Sequence, residues 1–291
     1  MKRFILVLLL PLLGNSQTSD QPIIDMHLHD YTEASYYVAP APDGVVSPKD
    51  YKTYKEELLR ALQENNIEKA VVSTIGGKNT LDKEGVFIPG YYTNSPPTDT
   101  TAFKALINSG KLKVFGEIGA VYDGYTLSDP EFEPYLKICE RYNIPVAVHT
   151  GGGPPGITYR CCPNFRIKLG DPYTLEDVLA KHPKLRVYIM HAGEVFYENT
   201  LRMLLQYPQL YTDLGVILWV DEQPKDYAEQ FIRKAKKYGI LDRVMFGSDQ
   251  MVWPHAIKKS IDQLNSYDFL TESDKRKIFY ENAVQFLQLK E

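Results

Sequence analysis

From Gln21 onward the chain alternates eight short apolar runs with segments patterned as amphipathic helices. The runs cover residues 23–29, 69–75, 86–91, 112–118, 145–149, 186–191, 210–213 and 243–248. They are short, often rich in β-branched and aromatic residues, and end near Gly or a polar residue, which marks them as strands. Helix starts stand between them. Ser47-Pro48 with Asp50 predicts a capped helix, continued by Tyr51, Tyr54, Leu58, Leu59 and Leu62 at helical spacing. Asp129-Pro130 predicts another, running to about Tyr142, and Thr174/Asp177 and Thr271/Asp274 read as capping boxes. This alternation predicts a parallel sheet with crossover helices. Eight units is the number that closes a single (β/α)8, or TIM, barrel, an α/β fold, with an open doubly wound sheet as the alternative. No Gly-rich phosphate-binding turn follows the first run, and residues 17–291 read as one domain.

Composition narrows the classes of function. The 291 residues carry a net charge of −4 with no basic block, which argues against nucleic acid as a partner. Three Cys exclude a disulfide scaffold, although Cys139 could pair with Cys161 or Cys162 in an oxidising compartment. Adjacent cysteines such as Cys161 and Cys162 are not expected to bridge each other. Residues 1–16 read as a signal peptide. Lys2 and Arg3 precede an apolar run, and Gly14-Asn15-Ser16 offers a cleavage site before Gln17. That run is far shorter than the roughly 20 apolar residues that span a bilayer. The expectation is export to a periplasm or secretion, with no membrane association after cleavage.

Placement of the polar residues points to the chemistry. Of six His, four lie at strand ends: His27, His29, His149 and His191. His27 and His29 are two apart and share a face, leaving Ile24, Met26 and Leu28 for the helix-facing side. Glu117 stands near the end of the fourth strand, and Asp249 follows the eighth. In a barrel these ends surround one mouth, where active sites are built. Imidazole nitrogens and carboxylate oxygens suit Zn²⁺, with Mn²⁺ and Fe²⁺ as alternatives. Without a cation, so many polar groups in one narrow mouth would be poorly compensated. Taken singly, each residue has a plainer reading: a core histidine, a helix cap or an ion-pair partner. Asp25 is expected to point inward below His27, His182 to lie at the surface or cap a helix, and His255 to serve structure or touch substrate.

The segments Ile24-Asp25-Met26-His27-Leu28-His29, Val148-His149-Thr150-Gly151, Met190-His191-Ala192-Gly193 and Phe246-Gly247-Ser248-Asp249 resemble the amidohydrolase superfamily, closest to amidohydrolase family 2. Weaker echoes are His182-Pro183-Lys184-Leu185, Tyr211-Thr212-Asp213 and Glu281-Asn282-Ala283. The resemblance implies a metal held by His27, His29 and Asp249. His149 and His191 would hold a second metal or face the substrate. Glu117 stands where many relatives place a bridging ligand, in a Gly-Glu-Ile-Gly context like that of TatD-type proteins. The implied activity is hydrolysis of a small ester, amide, lactone or phosphoester by metal-activated water, with Asp249 as proton acceptor. A metal-dependent decarboxylase and a non-catalytic exported metal-binding protein are the alternatives. Substrate clues are thin. Trp219, Trp253 and Tyr31, Tyr91, Tyr92, Tyr122 and Tyr125 could line a rim, and Arg160 or Arg166 could meet an anionic group.

Overall fold

The computed structural model describes residues 21–75, 77, 81 and 85–290, so the segment read as a signal peptide lies outside the described residues. Eight parallel strands form in chain order: β1 Ile23–His29, β2 Ile67–Ile75, β3 Phe87–Tyr92, β4 Phe115–Ile118, β5 Val146–Val148, β6 Val187–Ile189, β7 Leu210–Asp213 and β8 Val244–Met245. They alternate with helices as a (β/α)8 barrel does. Continuous ladders join β1-β2-β3 and β4-β5-β6-β7-β8. Isolated parallel bridges, Gly90 with Val114 and Thr93 with Ile118, carry the first set onto the second. Closure from β8 back to β1 runs through Met26 N donating to Phe246 O (2.9 Å) and Asp249 N to His27 O (2.7 Å).

Side chains reinforce both seams. Asp25 accepts from Ser248 N at 2.9 Å and Ser248 Oγ at 2.5 Å. Tyr188 OH donates to Met26 O at 3.0 Å, and Glu117 N donates to Ser73 Oγ at 2.9 Å. Each bond satisfies a buried group where a regular ladder does not reach it.

Two apolar layers follow from strand alternation, with one correction. Ile24 and Met26 do not face the helices. They pack with Val71, Ile88, Val114, Ala147, Tyr188 and Met245, a set drawn from around the barrel that can only meet inside it. Phe286 and Ala283 join this set from the C-terminal segment. Leu28 does join the outer, helix-facing core. The β1/β2 register shifts between Asp25 and Leu28, and a one-residue slip exchanges the faces of a strand.

Helix starts also differ from expectation. Asp50, not Ser47, caps the helix Tyr51–Glu64 by accepting from Thr53 N, while Ser47 Oγ accepts from Ala39 N. The helix after Asp129 begins only at Glu133, because Asp129 accepts from Thr126 N and Oγ1 in a preceding turn. Asp171 caps a 3₁₀ turn, Pro172–Leu175, that leads into Glu176–Lys181, so Thr174 is inside the turn and donates to Asp171 O. The Thr271/Asp274 capping box is present. Cys161 and Cys162 bridge each other, contrary to the expectation that adjacent cysteines would not, and Cys139 is a buried free thiol. Cys139 is part of the helix-facing core.

Candidate metal centre

Strand ends bring the six sequence-selected residues together. His27 and His29 sit at the end of β1 and Glu117 within β4. His149 lies one residue past β5, His191 two past β6, and Asp249 four past β8. Ring centroids lie 5.3 Å apart for His27/His29, 5.0 Å for His27/His191 and 4.7 Å for His149/His191. Donor atoms of His27, His29 and Asp249 lie within 4.8 Å of one another, and so do those of His27, Glu117 and His191.

The spacing fits a cation. His29 Nε2 and His27 Nε2 stand 3.0 and 3.5 Å from Asp249 Oδ1, and 3.1 and 3.4 Å from Glu117 Oε2. Ligand bonds of about 2 Å in a tetrahedron set donor atoms about 3.3 Å apart. Asp249 Oδ1 is buried and makes no hydrogen bond despite these neighbours. Such atoms aim at a common point and not at each other. His149 differs. Its Nδ1 meets Glu117 Oε1 at 2.7 Å and its Nε2 meets Tyr122 OH at 3.2 Å, so both nitrogens have partners and it stands outside the two convergent triads.

Charge in the centre follows the same logic. Burial opposes the positive form of His27, but Asp249, Asp213 and Glu117 outweigh it and hold its pKa well above the ordinary value. Burial likewise opposes charge on His29, and the facing carboxylates of Asp249 and Glu117 still push it up to about 9. Burial favours neutral Asp249, yet His27 and His29 bring it down to about 2, and Glu117 is held low by His27 and His149 against the same burial. Burial dominates at His149 and lowers it. These carboxylates call for positive charge, and in its absence the imidazoles of His27 and His29 take up protons.

Residues behind the donors orient them. Asp213, at the end of β7, accepts from His191 N and Gly215 N at 2.9 Å each, and its Oδ2 faces His27 Nδ1 at 3.2 Å. His191 Nδ1 donates to Gly215 O at 3.0 Å, which leaves Nε2 with its lone pair toward the centre. A Cβ on Gly215 would meet His27 Nδ1 at 2.5 Å, so only glycine lets the chain pass here. In the sequence Asp213 stands out only as an echo of the family pattern. Its position at a strand end was the available signal. Asp25 does lie buried beside His27, accepting from its N–H at 3.0 Å, and burial pushes its carboxyl up to about 6.

Backbone strain gathers at the mouth. His191, Ala192 and Glu194 have φ of 62°, 49° and 43°, and Val216, Asp249 and Met251 have 58°, 48° and 46°. Left-handed conformations cost L-residues roughly 1–2 kcal/mol each. They persist where the surroundings over-determine them, and functional sites are where such residues cluster.

Other selected residues fall elsewhere. His182 is buried, not at the surface, but it does cap a helix, as the C-cap of Glu176–Lys181 with its N–H donating to Val178 O. It bridges Glu140 Oε2 at 3.1 Å and Glu133 Oε2 at 3.2 Å, tying the helix Glu133–Tyr142 to the one that ends at Lys181. His255 pairs with Asp43 at 3.1 Å. Trp219 and Trp253 are buried against Ala41, Val252 and Ala256, packing the loop after β1 onto those after β7 and β8. Arg160 donates to Pro155 O and Arg166 to Pro163 O and Phe165 O, so both guanidinium groups serve their own loop.

A parallel barrel whose carboxyl-end mouth gathers four imidazoles with Glu117 and Asp249 defines a class, the barrel enzymes built around an acid–histidine metal centre. The sequence pattern of the amidohydrolase family (amidohydrolase family 2) matches residues 24–289, and the chain belongs to that metal-dependent family. Solved structures agree on the fold. An uncharacterized TIM-barrel protein from Bordetella bronchiseptica superposes with a TM-score of 0.69 at 18% identity, covering 92% of this chain and 98% of its own. A protein from Acinetobacter baumannii described as a probable 2-pyrone-4,6-dicarboxylic acid hydrolase, with citric acid bound, gives 0.61 at 17% identity over 92% and 99%. The 5-carboxyvanillate decarboxylase of Novosphingobium aromaticivorans, complexed with manganese and a nitrobenzoic acid, gives 0.55 at 14% identity over 79% of both chains. A search of curated proteins gives no match.

Proposed function

We propose that this chain is a metal-dependent hydrolase that turns water on a small ester, amide, lactone or phosphoester at the barrel mouth. His27, His29 and Asp249 would hold the cation, with Glu117 and His191 completing its surroundings or bridging to a second one. Zn²⁺ suits this donor set best, with Mn²⁺ or Fe²⁺ as alternatives. A divalent cation lowers the pKa of water from about 16 towards 7 and polarises a substrate oxygen. Asp249 supplies the proton acceptor. Its carboxylate is ionised at neutral pH and its Oδ1 carries no hydrogen bond. It takes the proton from the attacking water and returns it to the leaving group. Asp213 and Gly215 O hold the imidazoles of His27 and His191 in place meanwhile.

The observation that carries this reading is the unbonded Asp249 Oδ1 set 3.0 Å from His29 Nε2. The test is elemental analysis of the purified protein together with an ester, amide, lactone and phosphoester panel. Bound metal, turnover lost to chelator, and loss of both metal and turnover in His27→Ala support it. Release of CO₂ from aromatic acids without hydrolysis would replace it with the decarboxylase reading, the activity named for the Novosphingobium protein. Metal without any turnover would leave a binding protein. We further propose export. The charge and apolar run of residues 1–16 support it, and N-terminal sequencing of protein from cell fractions tests it.

A further inference from the structure

Two imidazoles of the centre are held by their rings. Asp213 Oδ2 faces the His27 ring, and Gly215 O orients that of His191. His29 is held through its main chain. It ends β1, and on the edge that meets β8 the carbonyl of His27 already accepts from Asp249 N at 2.7 Å. At the next carbonyl on that edge, His29 O, side chains stand where a ladder would supply an amide. Gln250 Nε2 donates to it at 2.7 Å, and Tyr54 OH stands 2.9 Å from it. The same hydroxyl stands 3.1 Å from Met251 O and accepts from Gln250 Nε2 at 3.1 Å. The two amide protons of Gln250 thus go to His29 O and to the phenol oxygen, which leaves the phenol proton to the carbonyls of His29 and Met251.

Tyr54 and Gln250 are both fully buried. Gln250 sits between Asp249 and Met251, whose φ of 48° and 46° make the turn left-handed on either side of it. Tyr54 belongs to the helix Tyr51–Glu64, with the rings of Tyr36, Tyr51 and Tyr31 centred 5.1, 6.1 and 6.2 Å from its own. A ring packed among three others has little freedom, so its hydroxyl is a fixed point. Helix, strand end and turn therefore meet at one oxygen. What they join is His29 to the turn of Asp249, the residues whose Nε2 and Oδ1 stand 3.0 Å apart in the centre.

We propose that Tyr54 and Gln250 are positioning residues for the metal centre. They lock the His29 main chain to the turn that carries Asp249, so that these two donors stand at cation spacing before the cation arrives, and they fix the direction from which the His29 nitrogen approaches it. This rests on the reading of His27, His29 and Asp249 as the ligands, and on nothing in the reaction that follows. The physical content is preorganisation. A cation binds the fraction of copies whose donors already converge, and its apparent Kd rises as that fraction falls. Without the clamp the strand end and the turn move independently, and the convergent arrangement becomes one of several.

Co²⁺ added to the metal-stripped full chain tests this, with Kd read by competition against a chromophoric chelator and the ligand field by visible absorption. Tyr54→Phe removes one oxygen from the clamp and leaves every ligand side chain in place. Its Kd for Co²⁺ is expected to rise about tenfold, with a displaced absorption spectrum. Asp274→Ala loosens a helix start outside the clamp and is the control for lost stability; it should keep the wild-type Kd and spectrum. An unchanged Kd or an unchanged spectrum in Tyr54→Phe overturns the proposal, and so does an equal change in Asp274→Ala. If Tyr54→Phe does not fold, Gln250→Leu is read in the same way. A wild-type chain that takes up no Co²⁺ removes the centre and the clamp together. Uptake with the expected changes, but no turnover of any ester, amide, lactone or phosphoester, retires the hydrolase reading and supports the clamp.

Discussion

Asp213 lies behind the donors, where one oxygen accepts from the backbone N–H of His191 and the other faces the His27 ring. Replacing it with Asn keeps the volume and removes the charge that faces His27 Nδ1. Metal affinity in Asp213→Asn is expected to fall about 10–100-fold with the fold retained, measured by competition with a chromophoric chelator. Proton linkage gives a second expectation. His29 in the cation-free protein is held up to about 9, so cation and proton compete for the same nitrogen. Affinity therefore rises as pH increases towards 9 and falls below it, and binding releases protons. Calorimetry in buffers of different ionisation heat reads that release directly; no buffer dependence would contradict it. At this scale much of the centre was legible in the sequence, because His27, His29, His149, His191 and Asp249 all fall at strand ends. Asp213 was not singled out as part of the site, since only the folded chain shows what its oxygens face. The bridge between Cys161 and Cys162 ran against the general rule for adjacent cysteines.

Elements were legible where local patterns act alone. β1 and β7 have the bounds the apolar runs predict, and the Thr271/Asp274 box forms as read. They failed where tertiary geometry intervenes. β8 keeps two residues of the predicted six because Phe246–Asp249 leaves the ladder to close the barrel against β1 and to set Asp249 in its left-handed turn. Two expectations belong here. Asp274→Ala removes the half of the capping box in which its carboxylate accepts from Thr271 N, together with the Lys236 ion pair, and should lower stability by about 1–2 kcal/mol near neutral pH. The Asp274 pKa is lowered from 3.8 to about 2: burial alone would raise it, but Lys236 and the Thr271 hydrogen bonds outweigh that. Its folded-state value being depressed, its contribution is present above 3.8 and is lost as pH falls through about 2. Urea midpoints of wild type and variant should therefore converge in strong acid. Gly116→Ala would drive a Cβ to 2.4 Å from Ala147 Cβ and 2.5 Å from its carbonyl oxygen. Backbone stands in the way, so β4 must shift against β5. Loss of soluble expression, or of several kcal/mol in denaturation, is the expected result.

The molecule as a whole is two ladders closed on each other, and the centre is divided between them. His27 and His29 belong to the β1-β2-β3 set, while Glu117, His149, His191 and Asp249 belong to the chain from β4 onward. A cation held by both sets resists their separation, so stability should track saturation. At a free concentration about a thousand times Kd the gain is about 4 kcal/mol. Urea denaturation with and without chelator checks it; midpoints that do not move would contradict a cross-ladder cation. Hydrogen exchange should slow most at Met26, Glu117 and Asp249, whose amides cross the seams. The division has a cellular consequence. A copy that never acquires its ion keeps the backbone bridges, the inner apolar layer and the bonds of Asp25, Ser73 and Tyr188 at its joints but lacks the tie across the mouth, and housekeeping proteases cut chains that open. Turnover of the polypeptide would then follow metal supply, with unfilled copies cleared first and filled ones accumulating.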